Sequence, residues 1–222
     1  MFIAVQDYVK AIYALQSGGP EASRVATNEI AAHLGVTPAS VSAMVRRLAE
    51  MRLIDYEKYQ GVCLTEPGRK LALEMIRHHR LVELYLFQAL GVPWDRVHEE
   101  AEKWEHVLSE DLEERMDTQL GHPTRDPHGA PIPTRDLELQ PHAGINLTHA
   151  PVGATVCIEE VSDHSAELLR YLGERGLYPQ TIWQVTAREP FGGPVTLTRH
   201  GQSVHLGQEA EQSIWITPTE SM

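Results

Sequence analysis

The stretch TNEIAAHLGVTPASVSAMVRRLAEMRLI, residues 27–54, leaves a chain few ways to fold. Ile30, Ala31 and Leu34 fall on one helical face, and Gly35 follows where a left-handed turn is needed. Thr37 is a good N-cap, and Pro38 takes the first helical position, where its missing N–H costs nothing. Val41, Val45 and Leu48 then repeat at i, i+4 and i+7 and face inward. Two helices on a tight glycine turn make a helix-turn-helix, whose second helix enters a DNA major groove N-terminus first. The positions it would present are Thr37, Ala39, Ser40, Ser42, Ala43, Arg46 and Arg47. Short side chains at its start allow close approach to base edges, and the two arginines suit phosphates. The following LIDYEKYQGVCLT reads as two short strands around Tyr59-Gln60-Gly61, a wing with Lys58 near its tip. The same module also serves as a protein-interaction domain, so the pattern alone leaves that reading open.

Charge bears on the choice. The formal net charge of −12 is unfavourable for a nucleic-acid protein. It is unevenly spread: residues 1–90 hold ten Lys/Arg against nine Asp/Glu, whereas residues 91–222 hold nine against 22. The first part can still approach phosphate.

The fold class expected is mainly α with a small β domain. Residues 1–65 read helix, helix, helix, hairpin, and residues 66 to about 120 as two or three longer helices. Residues 120–151 contain six prolines and read as a loop-rich linker. From Ala154 short β-rich runs appear: TVCIEEV, IWQV, PVTLT, QSVHLG and SIWITP, which suit a small barrel. A helix interrupts them at DHSAELLRYLGERG, with Asp163 as its expected cap and Gly173 or Gly176 as its end. No apolar run reaches the roughly 20 residues that span a bilayer. The start, MFIAVQDYVKAIYAL, is a poor signal peptide, because it lacks a basic leading region. Cys63 and Cys157 stand alone and read as packing residues in a reducing, cytoplasmic setting.

The segment 98–107, HEEAEKWEHV, holds four glutamates and two histidines. On a helix, His98, Glu102, Glu105 and His106 form one stripe, and Trp104 and Val107 point elsewhere, free to pack. Upstream, IRHHRLVELYL puts His79 and Glu83 one turn apart on another helix. Residues 95–117 carry ten acids and three bases, a repulsion that a divalent cation would remove. The bland alternative is a solvated helix face. Asp7, within VQDYVKAIYAL, is either an ordinary helix-start residue or a further ligand if its helix crosses the acidic one. The linker histidines His122, His128, His142 and His149 read as solvated loop residues.

Together, YVKAIYAL, IAAHLGVTPASVSAMVRRL, LTEPGRKLA, HHRLVE, VHEEAEKWEHVLSEDLEERM and DPHGAPIP resemble the DtxR/MntR family of metal-dependent transcriptional repressors, over nearly the whole chain. The resemblance implies three domains. They are a winged helix-turn-helix DNA-binding domain (1–65), a helical metal-binding and dimerisation domain with the proline-rich linker (66–150), and an SH3-like, FeoA-like domain (151–222). It implies a primary metal site of Asp7, Glu102, Glu105 and His106. The iron-sensing branch has methionine at the Asp7 position and cysteine at the Glu102 position, and the manganese-sensing branch has acids at both. Two oxygen donors favour a hard ion such as Mn2+, with Fe2+ as the alternative. The manganese branch has glutamate where this chain has Lys10. An ancillary site on the iron-branch pattern would use His79, Glu83 and His98, completed by Glu160, Asp163 or His164.

The function implied is a Mn2+- or Fe2+-dependent repressor, not an enzyme. It would bind palindromic double-stranded operator DNA as a metal-loaded homodimer and control metal-uptake genes. Two other classes remain open. A regulator of this type can answer to a small organic ligand instead. Helices bearing Glu and Glu-x-x-His also build di-metal carboxylate enzymes, although Glu102-Lys103-Trp104-Glu105-His106 lacks that spacing and an enzyme leaves the helix-turn-helix unexplained.

Overall fold

The computed structural model describes residues 3–17, 23–57, 59–140 and 144–219. The chain condenses into two compact units. One runs to His79 and adds Trp104–Ser109 and Pro133–Leu139; the other takes Arg80–Lys103, Glu110–Ile132 and the chain from Gln140 onward.

The first unit contains α1 (Ile3–Ser17), α2 (Thr27–Leu34), α3 (Pro38–Glu50), β1 (Ile54–Glu57) and β2 (Gly61–Leu64), then the start of α4 (Glu66–Leu90). Its core is built by the apolar positions that the periodicity picks out. Val5, Val9 and Ile12 of α1 meet Ile30 of α2, Val41, Val45 and Leu48 of α3, and Ile54 and Val62 of the wing. The turn between α2 and α3 works as its residues demand. Gly35 takes φ 62° and its N–H returns to the end of α2, while Thr37 Oγ1 accepts from Ser40 N at 3.2 Å. The wing strands pair antiparallel, Ile54 opposite Leu64. Val25 adds a rung, exchanging backbone hydrogen bonds with Val62 at 2.8 and 2.9 Å.

The second unit holds the rest of α4, where Leu81 and Leu84 pack on Ile132, together with α5 (Val97–Trp104) and α6 (Glu110–Gln119). Its β part is one antiparallel six-stranded sheet of order β3-β8-β4-β5-β6-β7. The strands are β3 (Ile145–Asn146), β4 (Thr155–Val161), β5 (Ile182–Arg188), β6 (Val195–Arg199), β7 (Gln202–Leu206) and β8 (Ile214–Thr219). Five of them coincide with the β-rich runs of the sequence; β3, two residues long, lies in the expected linker and is too short to leave a pattern. Alternation along β4, β5 and β8 buries Val156, Ile158, Trp183, Val185, Ile214 and Ile216 in a common core with Leu169 and Leu172 of α7 (Ala166–Gly173). Bulges after Ile158 and after Val185 bend the sheet. Ser165, not Asp163, caps α7: its Oγ accepts from Leu168 N at 3.3 Å. Asp163 is thereby left available for another role. Among the described residues no helix is long and apolar enough to cross a membrane.

Candidate metal centre and nucleic-acid interface

Burying Val5, Val9 and Ile12 puts Gln6, Asp7 and Lys10 on the other side of α1. There they meet the turn that follows α5. The acidic helix stops at Trp104, so Glu105 and His106 stand in that turn and not on a helical stripe. The turn brings their side chains to Asp7 all the same. His106 Nε2 is 3.0 Å from Asp7 Oδ1 and 3.6 Å from Glu105 Oε1. One donor atom from each of the three lies within 4.8 Å of the others. Trp104 and Val107 are exposed, 39% and 76%, rather than packed.

Glu105 is 1% exposed. Lys10 Nζ donates to both of its carboxylate oxygens, at 2.8 and 3.0 Å. His79 Nδ1 contacts Oε2, and His78 Nδ1 lies 3.3 Å from its backbone oxygen. Burial works against ionisation of Glu105, but the His79 hydrogen bond and the Lys10 charge hold its carboxyl below the ordinary range. A carboxylate that stays ionised while buried is ready to take a cation.

In the second unit, Glu83 is fully buried on α4, and His98 Nδ1 stands 3.2 Å from its Oε1. The same nitrogen is 3.6 Å from Asp163 Oδ2. On α5, His98 Nε2 and the half-buried Glu102 are 3.9 Å apart. Of the other residues proposed from the sequence, His164 is an 80% exposed side chain beside Asp163, and Glu160 is buried on β4. Among the described residues neither joins a cluster of metal-type donors.

Two residues were missed by the sequence reading, Asp126 and His128 of the DPHG loop. With Glu83 they form a wholly buried group of donors within 4.8 Å of one another. The loop builds itself: Asp126 Oδ1 accepts from His128 N at 2.8 Å and from Ala130 N at 3.0 Å. Gly129, at φ 91°, lies so close to β4 that a Cβ there would sit 2.0 Å from Glu159 O. His128 O in turn accepts from Val161 N at 2.9 Å. His128 Nε2 donates to Trp94 O at 2.8 Å, leaving Nδ1 aimed at Glu83 Oε2, 3.9 Å away. Asp126 Oδ2 and His128 Nδ1 are buried without a hydrogen-bond partner. Such atoms cost free energy unless something fills the gap. Burial and the Glu83 charge push the Asp126 carboxyl up to about 7, against the pull of His128 and Arg80. A divalent cation matches this acid–acid–imidazole set. His128 therefore corrects the expectation of solvated linker histidines. His122 and His149 are exposed as expected, and His142 lies outside the described residues.

The positions expected to meet DNA are mostly exposed. Thr37, Ala39, Ser40, Ser42, Ala43 and Arg46 are exposed and Arg47 is half-buried. Lys58 lies outside the described residues. Beside it Tyr59 is 92% exposed at φ 70°.

Comparison with known proteins covers the whole architecture. A family model for the iron dependent repressor N-terminal DNA binding domain matches residues 3–62. One for the iron dependent repressor metal binding and dimerisation domain matches residues 65–134, and a FeoA domain model matches residues 145–218. The iron-dependent repressor IdeR of Mycobacterium tuberculosis is 34% identical over 222 residues, 94% of each chain. The diphtheria toxin repressor of Corynebacterium diphtheriae is 33% identical over 224 residues, again 94% of each. A solved manganese-dependent transcriptional repressor in complex with manganese superposes with a TM-score of 0.88 at 37% identity, covering 97% of this chain and 100% of that one. These domains are those of transcriptional repressors, not of an enzyme. The chain belongs to the DtxR/MntR family of iron- and manganese-dependent transcriptional repressors.

Proposed function

We propose that this chain represses transcription of metal-uptake genes when loaded with Mn2+ or Fe2+, bound as a homodimer to palindromic operator DNA. The domains are read as 1–65 for DNA, 66–150 for metal and dimerisation, and 151–222 as the SH3-like module. The observation that carries the reading is the double use of α1. One face of this helix is core of the DNA-reading head, and Asp7 on the other meets Glu105 and His106.

The primary ligands are Asp7, Glu105 and His106, with Glu102, three residues before Glu105, as the fourth. Three carboxylates and one imidazole suit a hard ion. Lys10 already holds Glu105 from one side, so that side is closed to a second ion. The second site takes His79, Glu83 and His98, the set the resemblance implies, joined by Asp163 and by Asp126 and His128 of the DPHG loop. His79 also supports Glu105 of the first site. Neither His164 nor Glu160 is needed.

A divalent ion held by these residues would add positive charge among Asp7, Glu102 and Glu105 beyond what Lys10 supplies to Glu105. Asp7 then ties α1 to the turn carrying Glu105 and His106, and α1 fixes Ile30 and Val45 through their shared core. The metal shifts the population only as far as it binds the DNA-competent arrangement better than others. In the dimer, two α3 helices address successive major grooves, Arg46 and Arg47 toward phosphates.

Fluorescence anisotropy with DNA from the gene's own promoter tests this, at fixed salt, with chelator, Mn2+, anaerobic Fe2+ and Zn2+. Tight binding with Mn2+ or Fe2+ and none with chelator is expected. Equal binding under chelator would remove the metal from the switch.

A further inference from the structure

We infer that Gln6 is a positioning residue that selects which nitrogen of His106 faces the metal, so that α1 supplies both a ligand and the group orienting another ligand. The inference rests on the reading of Asp7, Glu105 and His106 as the primary site.

A neutral imidazole has one lone pair to give, and the hydrogen bond made by its other nitrogen decides where that lone pair lies. His106 Nδ1 stands 3.1 Å from Gln6 Oε1. The structure assigns the oxygen of the Gln6 amide to face Nδ1, and with an oxygen there Nδ1 is the nitrogen that carries the hydrogen. That leaves Nε2, which points between Asp7 Oδ1 and Glu105 Oε1. Without Gln6, the neutral ring would gain most by protonating Nε2 and donating it to Asp7. A ring in that form has no lone pair for the ion, and it ties up the Asp7 oxygen as well.

Gln6 is built into the fold. It is 9% exposed, and the side chain of His106 is 8% exposed, so water has little access to replace the contact. Gln6 and Asp7 are consecutive residues of one helix, so a turn or slide of α1 withdraws both from His106 together. Site assembly and placement of the reading head then become one event. Three separately mobile ligands would instead engage one by one.

The test uses the full chain and two readouts. Long-range 15N–1H NMR of the metal-free protein at about pH 8.5, some two units above an ordinary histidine pKa, reports the tautomer of His106 directly. The wild type should hold its proton on Nδ1. In Gln6→Leu, which keeps the volume and removes the acceptor, the proton should move to Nε2. Isothermal titration with Mn2+ should show roughly a 10- to 100-fold loss of affinity in Gln6→Leu, at the same step that His106→Ala abolishes. Gln6→Glu, whose carboxylate can only accept, should restore both the Nδ1–H tautomer and the affinity; a merely structural role would not give that rescue. A wild-type His106 protonated on Nε2 overturns the proposal without any variant. So does a Gln6→Leu protein that binds Mn2+ like the wild type while His106→Ala does not. If His106→Ala also binds normally, the metal-site reading itself falls.

Discussion

Asp126 makes the metal-free protein lose stability between acid and neutral pH, a loss that a single substitution can remove. Its carboxyl is raised from 3.8 to about 7 by burial and by Glu83. A folded-state value above the unfolded one means that the native state holds the proton more tightly. Stability is therefore fully present below pH 4, falls as pH rises from about 4 to 7, and stays low above that window. At ~1.36 kcal/mol per pH unit, the span amounts to about 4 kcal/mol as an upper bound. The Glu83 charge is part of this shift and Arg80, 3.7 Å away, pulls against it, so about 1 kcal/mol is the smallest effect expected. Asp126→Asn keeps the Oδ1 acceptor for His128 N and Ala130 N and deletes the charge. Urea denaturation under chelator at pH 5 and pH 8 should show the wild type losing about 1–3 kcal/mol more than the variant across that interval, since part of the span lies below pH 5. Mn2+ should stabilise the wild type at pH 8 more than Asp126→Asn, which keeps only the Asp7, Glu105 and His106 site. If the two chelated proteins track each other from pH 5 to 8, Asp126 does not face Glu83 in a dry pocket, and the second site loses its physical basis.

Other expectations follow from single contacts. Glu105→Gln should abolish metal-dependent DNA binding and, by leaving Lys10 without its carboxylate, cost the metal-free fold about 1–3 kcal/mol in urea. An unchanged Mn2+ titration would take Glu105 out of the site. Gly129→Ala forces a side chain against Glu159 O at a left-handed φ, so a few kcal/mol of stability should go. Calorimetry should then show the second metal step weakened and the His106-dependent step kept. Thr37→Ala should cost about 1 kcal/mol through the lost cap of α3, a loss that chemical denaturation can read. Arg46→Ala should reduce the slope of log affinity against log salt by about one, across operator and non-operator DNA alike. A loss confined to one base position would make Arg46 a base reader instead.

Local pattern was enough for much of this protein because local chemistry decides it. Helix periodicity, the Gly35 turn and the Thr37-Pro38 cap depend on residues a few positions apart, and α2, α3 and the wing form as read. Alternation likewise placed β4 through β8. The acidic segment was recognisable as a metal region from its composition, although the helix ends at Trp104 and delivers Glu105 and His106 from a turn.

The sequence by itself thus determined the elements and the reading head, since these follow from spacing along the chain, and it pointed to candidate ligands through the family resemblance. Tertiary structure alone decided which distant groups share a dry space. Lys10 answers Glu105 across 95 residues, and Gln6 answers His106 across 100. A histidine in a proline-rich loop looks solvated until Gly129 lets that loop lie against the backbone of β4. Burial then turns Asp126 and His128 from solvated loop residues into a candidate site, because ionisable groups cut off from water are costly unless something neutralises them.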